Sequence, residues 1–114
     1  MLNIDQLKAI GCDPEEGLAR CFGNEALYLK LVKTIPAQEN FERLHVSLEN
    51  GDLDNAFEAA HALKGVLANL SLTSVLTPVE KITELLRERK ECDYRELDAL
   101  IEEKRLELQN ICSE

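Results

Sequence analysis

Apolar residues recur along this chain at the spacing of an α-helix, and that period constrains the fold more than any other feature. In the central stretch Leu53, Ala56, Phe57, Ala60, Leu63, Leu67 and Leu70 fall on one stripe. A second stripe runs through Leu27, Leu31, Val32, Ile35, Phe41, Leu44 and Leu48. A third joins Leu72, Val75, Leu76, Val79, Ile82, Leu85 and Leu86, and a last one Tyr94, Leu97, Leu100, Ile101, Leu108 and Ile111. No alternating apolar and polar run signals a strand, and only 3 prolines and 5 glycines interrupt the 114 residues. The pattern predicts an all-α chain.

The punctuation divides these stripes. Asp13-Pro14-Glu15-Glu16 has the form of a helix start: a cap acceptor, a proline at the first helical position and acids in the first turn. A short helix ending by Gly23 is expected there. Asn24 then caps a long helix in which Pro36 imposes a kink or a brief break. Asn50-Gly51-Asp52 reads as a helix-to-helix turn, since no strand flanks it. The next helix should run from Leu53 to Asn69, and the last from Asp93 to Cys112. The helix ending near Lys90 has two possible starts: its apolar period begins at Leu72, but Thr77-Pro78-Val79-Glu80 resembles a capping box. Four amphipathic helices of about twenty residues with short connections place sequential neighbours antiparallel. The expected architecture is an up-down-up-down four-helix bundle with a short extra N-terminal helix, forming one domain over residues 1–114.

Charge and composition narrow the function. The formal net charge is −9, with 22 acidic and 13 basic side chains, and the basic residues are scattered rather than gathered in a patch. A phosphate backbone would be repelled, so nucleic acid is not an expected partner. There is no apolar run of membrane-spanning length and no basic-then-apolar leader, so no membrane association is expected. A cytoplasmic monomer is the expectation. Cys12, Cys21, Cys92 and Cys112 show no CxxC pairing, and reduced, mostly packing thiols are expected.

Within "AFEAAHALKGVLANLSL", Ala56 to Leu72, three residues do not suit an ordinary amphipathic helix. At about 100° per residue, His61 lies roughly 130° from the centre of the apolar stripe and faces solvent. Lys64 and Gly65 follow at i+3 and i+4 on the same face, with Ala68 a turn beyond and Phe57 and Glu58 a turn before. An imidazole that titrates near neutrality offers a neutral nitrogen as a nucleophile towards phosphorus, and the product carries about two negative charges. A lysine one turn away stabilises that charge. A mid-helix glycine costs about 1 kcal/mol relative to alanine and opens space beside the ring. Taken singly, His61 and Lys64 are ordinary surface residues; their spacing makes them a candidate site.

"AHALKG" followed by "ANLSL" resembles the core motif of histidine-containing phosphotransfer (HPt) domains, intermediates of multistep phosphorelays, in which an exposed His is followed by x-Leu-Lys-Gly. "GCDPEEGLARCFGNEALYLKLV" and "LENGDLDNAFEAAHALKG" are similar to the segments leading into the active helix of bacterial members, so the resemblance extends over essentially the whole chain. It implies that His61 accepts a phosphoryl group through Nε2, that Lys64 neutralises it, and that Gly65 keeps the face clear for docking. It further implies partners that are receiver domains of response regulators, and possibly a hybrid histidine kinase. The chain itself would have no kinase activity and no cofactor of its own, Mg²⁺ arriving with the receiver; accordingly it holds no GxxxxGK[ST] loop. Leu53, Phe57, Glu58 and Ala68 are candidates for the docking surface, although Leu53 and Phe57 suit the core equally well. Two residues depart from the family pattern: Val66 stands where a small or hydroxyl residue is frequent, with an expected effect on packing under the site, and Ser71 stands where glycine is common, with an expected effect on the following turn.

Two rivals share the helical fold. A metal-binding bundle would use the Glu-x-x-His pairs Glu42/His45 and Glu58/His61, but the helical angles put Glu42 and Glu58 on the polar side. A non-catalytic helical adaptor would use the same docking face with His61 incidental.

Overall fold

Asn3 starts the first helix. Its side chain accepts the Gln6 N–H at 2.9 Å, while the Gln6 side chain accepts the Asn3 N–H at 2.9 Å, a reciprocal capping box. The helix that follows, α1 (Ile4–Ala9), was not expected from the periodicity because its six residues are too few to show one. The computed structural model describes residues 1–113, and Glu114, the last residue of the expected domain, lies outside them. All regular structure among the described residues is helical: α1 is followed by α2 (Pro14–Arg20), α3 (Glu25–Lys33), α4 (Glu39–Glu49), α5 (Leu53–Asn69), α6 (Thr73–Arg87) and α7 (Arg95–Cys112).

Three short helices therefore precede α4, where one short helix was expected before a long one that included α4. Pro36 explains the difference. It has no N–H, its ring excludes the carbonyl of a preceding helical turn, and it disfavours helix at Ile35. The chain ends α3 at Thr34, whose hydroxyl donates to the Leu31 carbonyl at 2.6 Å, and resumes as α4 after Gln38. The break is complete rather than a kink, and Arg105 of α7 donates to the freed Pro36 carbonyl at 3.1 Å. Elsewhere the caps separate into those made and those not. Asn24 accepts the Leu27 N–H and Asp52 the Asn55 N–H. Asp13 makes no side-chain cap, leaving Pro14 and the first-turn acids to start α2.

The ambiguous helix begins at its earlier candidate start. Leu72 is the N-cap of α6, so Thr77-Pro78 lies inside the helix and is not a capping box. Pro78 is tolerated near the N-terminal end, where its ring is buried, and the Thr77 hydroxyl donates to the Thr73 carbonyl at 2.9 Å.

α5 is the central element, packing against both α4 and α6, and α6 packs in turn on α7. Ala56, Ala59 and Ala60 are fully buried at its contacts, and such small side chains let neighbouring helices approach closely. Leu63 and Leu67 continue this buried face and meet a core that includes Val32, Leu44, Val75, Ile82, Leu86, Ile101 and Leu108. Cys12 and Cys21 are buried packing residues, whereas Cys92 is exposed; all four thiols are free.

The N-terminal helices hold the end of α5. The Tyr28 hydroxyl donates to the Leu70 carbonyl at 2.7 Å, and burial raises the phenol pKa, so that it remains a donor. Arg20 Nη1 donates to the carbonyls of Ala68 at 2.9 Å and Asn69 at 3.1 Å and to Ser71 Oγ at 2.8 Å, satisfying groups that a helix C-terminus leaves without partners. Ser71 has φ +52°, in the left-handed region where glycine is least strained. This accounts for the common glycine at that place: the turn keeps its form with serine, and the hydroxyl gains Arg20 as a partner.

Candidate functional site

The solvent face of α5 carries the candidate residues together. His61 is exposed, as its helical angle requires, and no side chain among the described residues hydrogen-bonds its ring nitrogens. One turn on, a Cβ placed on Gly65 would meet no atom within 4 Å, so this glycine leaves open space rather than relieving a clash. Ala68 is exposed beyond it. Val66 is 36% exposed, so the expectation that it packs under the site is corrected: at position 66 the side chain points away from the core.

On the N-terminal side, the Phe57 ring stacks on His61 with centroids 5.7 Å apart and planes 20° from parallel. Phe57 and Leu53 are both half-buried against the core. Phe57 thus serves as core at its base and as a platform for the histidine at its edge. Glu58 is exposed and engaged by Arg43 of α4, which donates to it at 2.6 Å and to Asn55 at 2.8 Å. It faces away from the helical interior, as does Glu42, contrary to the inward projection that a Glu-x-x-His metal bundle needs.

The residues that sequence reasoning missed come from the end of α6 and the turn that follows it. The guanidinium carbons of Arg87 and Arg89 lie 5.4 Å and 5.1 Å from the Phe57 ring centroid. Arg89 is fixed: Nε donates to Asp54 Oδ1 at 2.7 Å, Nη1 donates to the Leu86 carbonyl at 2.6 Å, and its backbone is left-handed with φ +51°. Arg87 is held more loosely, with Nη2 3.5 Å from Glu84 Oε1. The same oxygen lies 4.0 Å from Lys64 Nζ. Arg87 and Arg89 thus flank the Phe57 ring that stacks on His61, and Lys64 follows His61 by one helical turn; each of the three cations has a carboxylate partner, on a chain whose formal net charge is −9. The signal for the α6 residues was present in the turn: a hairpin centred near Ser71 returns residues 84–89 alongside the first half of α5.

The other histidine has different surroundings. His45 Nδ1 lies 2.6 Å from Asp98 Oδ2 on α7, and Nε2 lies 2.6 Å from Glu49 Oε1. The hydrogen bond to Asp98 raises its pKa, and the charges of Asp98, Glu49 and Glu102 act in the same direction, partly opposed by desolvation. Both ring nitrogens are committed to carboxylates.

A family model for the Hpt domain matches residues 36–114. The chain belongs to the Hpt domain family. The matched region contains α4 to α7 and all of the residues around His61, whereas the resemblance of residues 11–32 is not part of the match. Hpt domains are phosphocarrier modules of phosphorelays, without kinase activity of their own, and they interact with receiver domains. No significant match emerges among curated proteins or among solved structures. No helix among the described residues is long and apolar enough to cross a membrane.

Proposed function

We propose that His61 is the phosphoryl acceptor of this Hpt domain, and that the chain relays phosphoryl groups between receiver-domain aspartates. The observation that carries this reading is the contrast between its two histidines. His45 offers both ring nitrogens to carboxylates, which would repel a phosphoryl group; His61 is exposed, with Lys64 one helical turn on and Arg87 and Arg89 over the Phe57 ring that stacks on it.

In the transfer, the lone pair of His61 Nε2 attacks the phosphorus of an aspartyl phosphate on the receiver. The N–P bond forms as the acyl O–P bond breaks, and the bonding pair leaves with the aspartate carboxylate. Nδ1 retains its proton, so a positive ring carries a phosphoryl group with about two negative charges. Lys64 neutralises that group by a charge-assisted contact, and the stacked Phe57 limits the orientations of the ring. Mg²⁺ held by the receiver supplies charge neutralisation at the aspartyl phosphate. Gly65 and Ala68 leave clearance for the receiver, with Phe57, Leu53 and Glu58 at the border of its docking surface. Onward transfer reverses these steps on another receiver, and a hybrid histidine kinase would present its own receiver to the same face.

The reading extends to the whole chain. α4 to α7 form the antiparallel up-down-up-down bundle, α1 to α3 close one end of it, and residues 1–114 act as a single cytoplasmic, monomeric domain. Incubation with a phosphorylated receiver labels the protein with an acid-labile phosphoryl group, and His61→Gln prevents labelling. Persistent labelling of that variant would overturn the assignment, and binding without any labelling would make the chain an adaptor. Lys64→Ala is expected to slow transfer by about tenfold while leaving the fold intact, since one charge-assisted contact of about 1.5 kcal/mol is lost; an unchanged rate would show that its charge is not used.

A further inference from the structure

Lys64 is not uncommitted beside His61. Its Nζ lies 4.0 Å from Glu84 Oε1 on α6, and Arg87 Nη2 lies 3.5 Å from the same oxygen. One carboxylate therefore stands between two cations of the site. Both contacts are long for ion pairs, and the Glu84 side chain is 62% exposed, so each is weak and readily exchanged. The remaining basic residues nearby are held differently: Arg89 is bound to Asp54 at 2.7 Å and Arg43 to Glu58 at 2.6 Å. The exchangeable pairs are those of Lys64, one helical turn from the histidine, and of Arg87, over the ring stacked on it.

We propose that Glu84 is a positioning residue, a resting counterion that holds Lys64 and Arg87 and yields them to the phosphoryl group on His61. The proposal rests on His61 as acceptor. A phosphoryl group with about two negative charges outcompetes one carboxylate for the two cations, but the competition lowers the net gain, and the displaced Glu84 remains as a repelling charge. Glu84 thus sets how far the equilibrium between aspartyl phosphate and phosphohistidine lies towards His61.

The equilibrium constant for phosphoryl exchange with one purified, Mg²⁺-loaded receiver tests this, because it is independent of how tightly the two proteins dock. Glu84→Gln is expected to shift it towards phosphohistidine by about threefold, within the range of an exposed ion pair. Glu84→Asp, which retains the charge, should stay near the wild-type value. Glu80→Gln, an equal charge change one turn away on α6, and Glu84→Gln in a Lys64→Ala/Arg87→Ala background should shift it much less. An unchanged constant in Glu84→Gln, a shift towards the receiver, or equal shifts in the two controls would overturn the proposal. The acceptor assignment is separately readable: if label persists in His61→Gln that assignment fails, whereas a wild-type equilibrium in Glu84→Gln with label still on His61 removes only the role of Glu84.

Discussion

Replacing Gly65 with alanine should make the fold more stable and the protein a poorer carrier. The glycine lies in the interior of α5, and an added Cβ meets no atom within 4 Å, so nothing opposes the helix-propensity gain of about 1 kcal/mol. For a chain of this size that gain moves the urea midpoint up by about 0.5 M and the melting temperature by roughly 4 °C. The same methyl group stands one turn from His61 on the face the receiver must approach, and displacing the reacting atoms by a fraction of an ångström slows transfer by about tenfold or more. Gly17→Ala provides the contrast. Its Cβ would lie 2.5 Å from the Leu70 carbonyl oxygen and 2.6 Å from Tyr28 Cε1, so the backbone and the buried Tyr28–Leu70 hydrogen bond must both shift. Overpacking and the weakened bond outweigh the propensity gain, for a net loss of about 2–4 kcal/mol. Urea denaturation and stopped-flow transfer from a phosphorylated receiver measure both effects. A destabilised Gly65→Ala, or one that transfers at the wild-type rate, would refute the reasoning that this glycine is kept for access.

Two further outcomes follow from contacts away from the acceptor. Arg20→Ala removes the donors to the Ala68 and Asn69 carbonyls and to Ser71 Oγ, and a loss of about 1–2 kcal/mol is expected in chemical denaturation; an unchanged midpoint would show that water replaces Arg20 at the end of α5. His45 has a folded pKa raised above its ordinary value of 6.5 by Asp98, so its stabilising contribution is full below that value and is lost as pH rises through the folded pKa. Stability should therefore fall modestly as pH rises above about 6.5, by less than about 1 kcal/mol because the side chain is over half exposed, and His45→Gln should abolish the slope.

The extent of α5, the burial of Ala56 and Ala60 and the exposure of His61 were legible in the chain, because a single helical period determines them together, whereas the burial of Ala59 was not read. Ser71 was legible as a departure, but its meaning needed the backbone: a left-handed φ makes the position suit glycine, and Arg20, 51 residues earlier, repays the serine with a hydrogen bond. Of the kink and the brief break that Pro36 allowed, the chain takes the break, a choice that local propensity does not decide. α1 escaped notice because six residues show no period, although Asn3 and Gln6 carry its cap. Arg87, Arg89 and Glu84 were not picked out: the short turn at Ser71 brings residues 84–89 alongside α5, but which of them meet Phe57 and Lys64 depends on the register between the two segments, which side-chain packing determines.

The central claim is that His61, and not His45, carries the phosphoryl group. The most direct measurement is phosphorus and nitrogen NMR of the ¹⁵N-labelled protein after exchange with a phosphorylated receiver. The account predicts one phosphohistidine signal, with the phosphorus coupled to Nε2 of His61, absent in His61→Gln and present in His45→Gln. A signal coupled to a nitrogen of His45, or one that survives in His61→Gln, would contradict it.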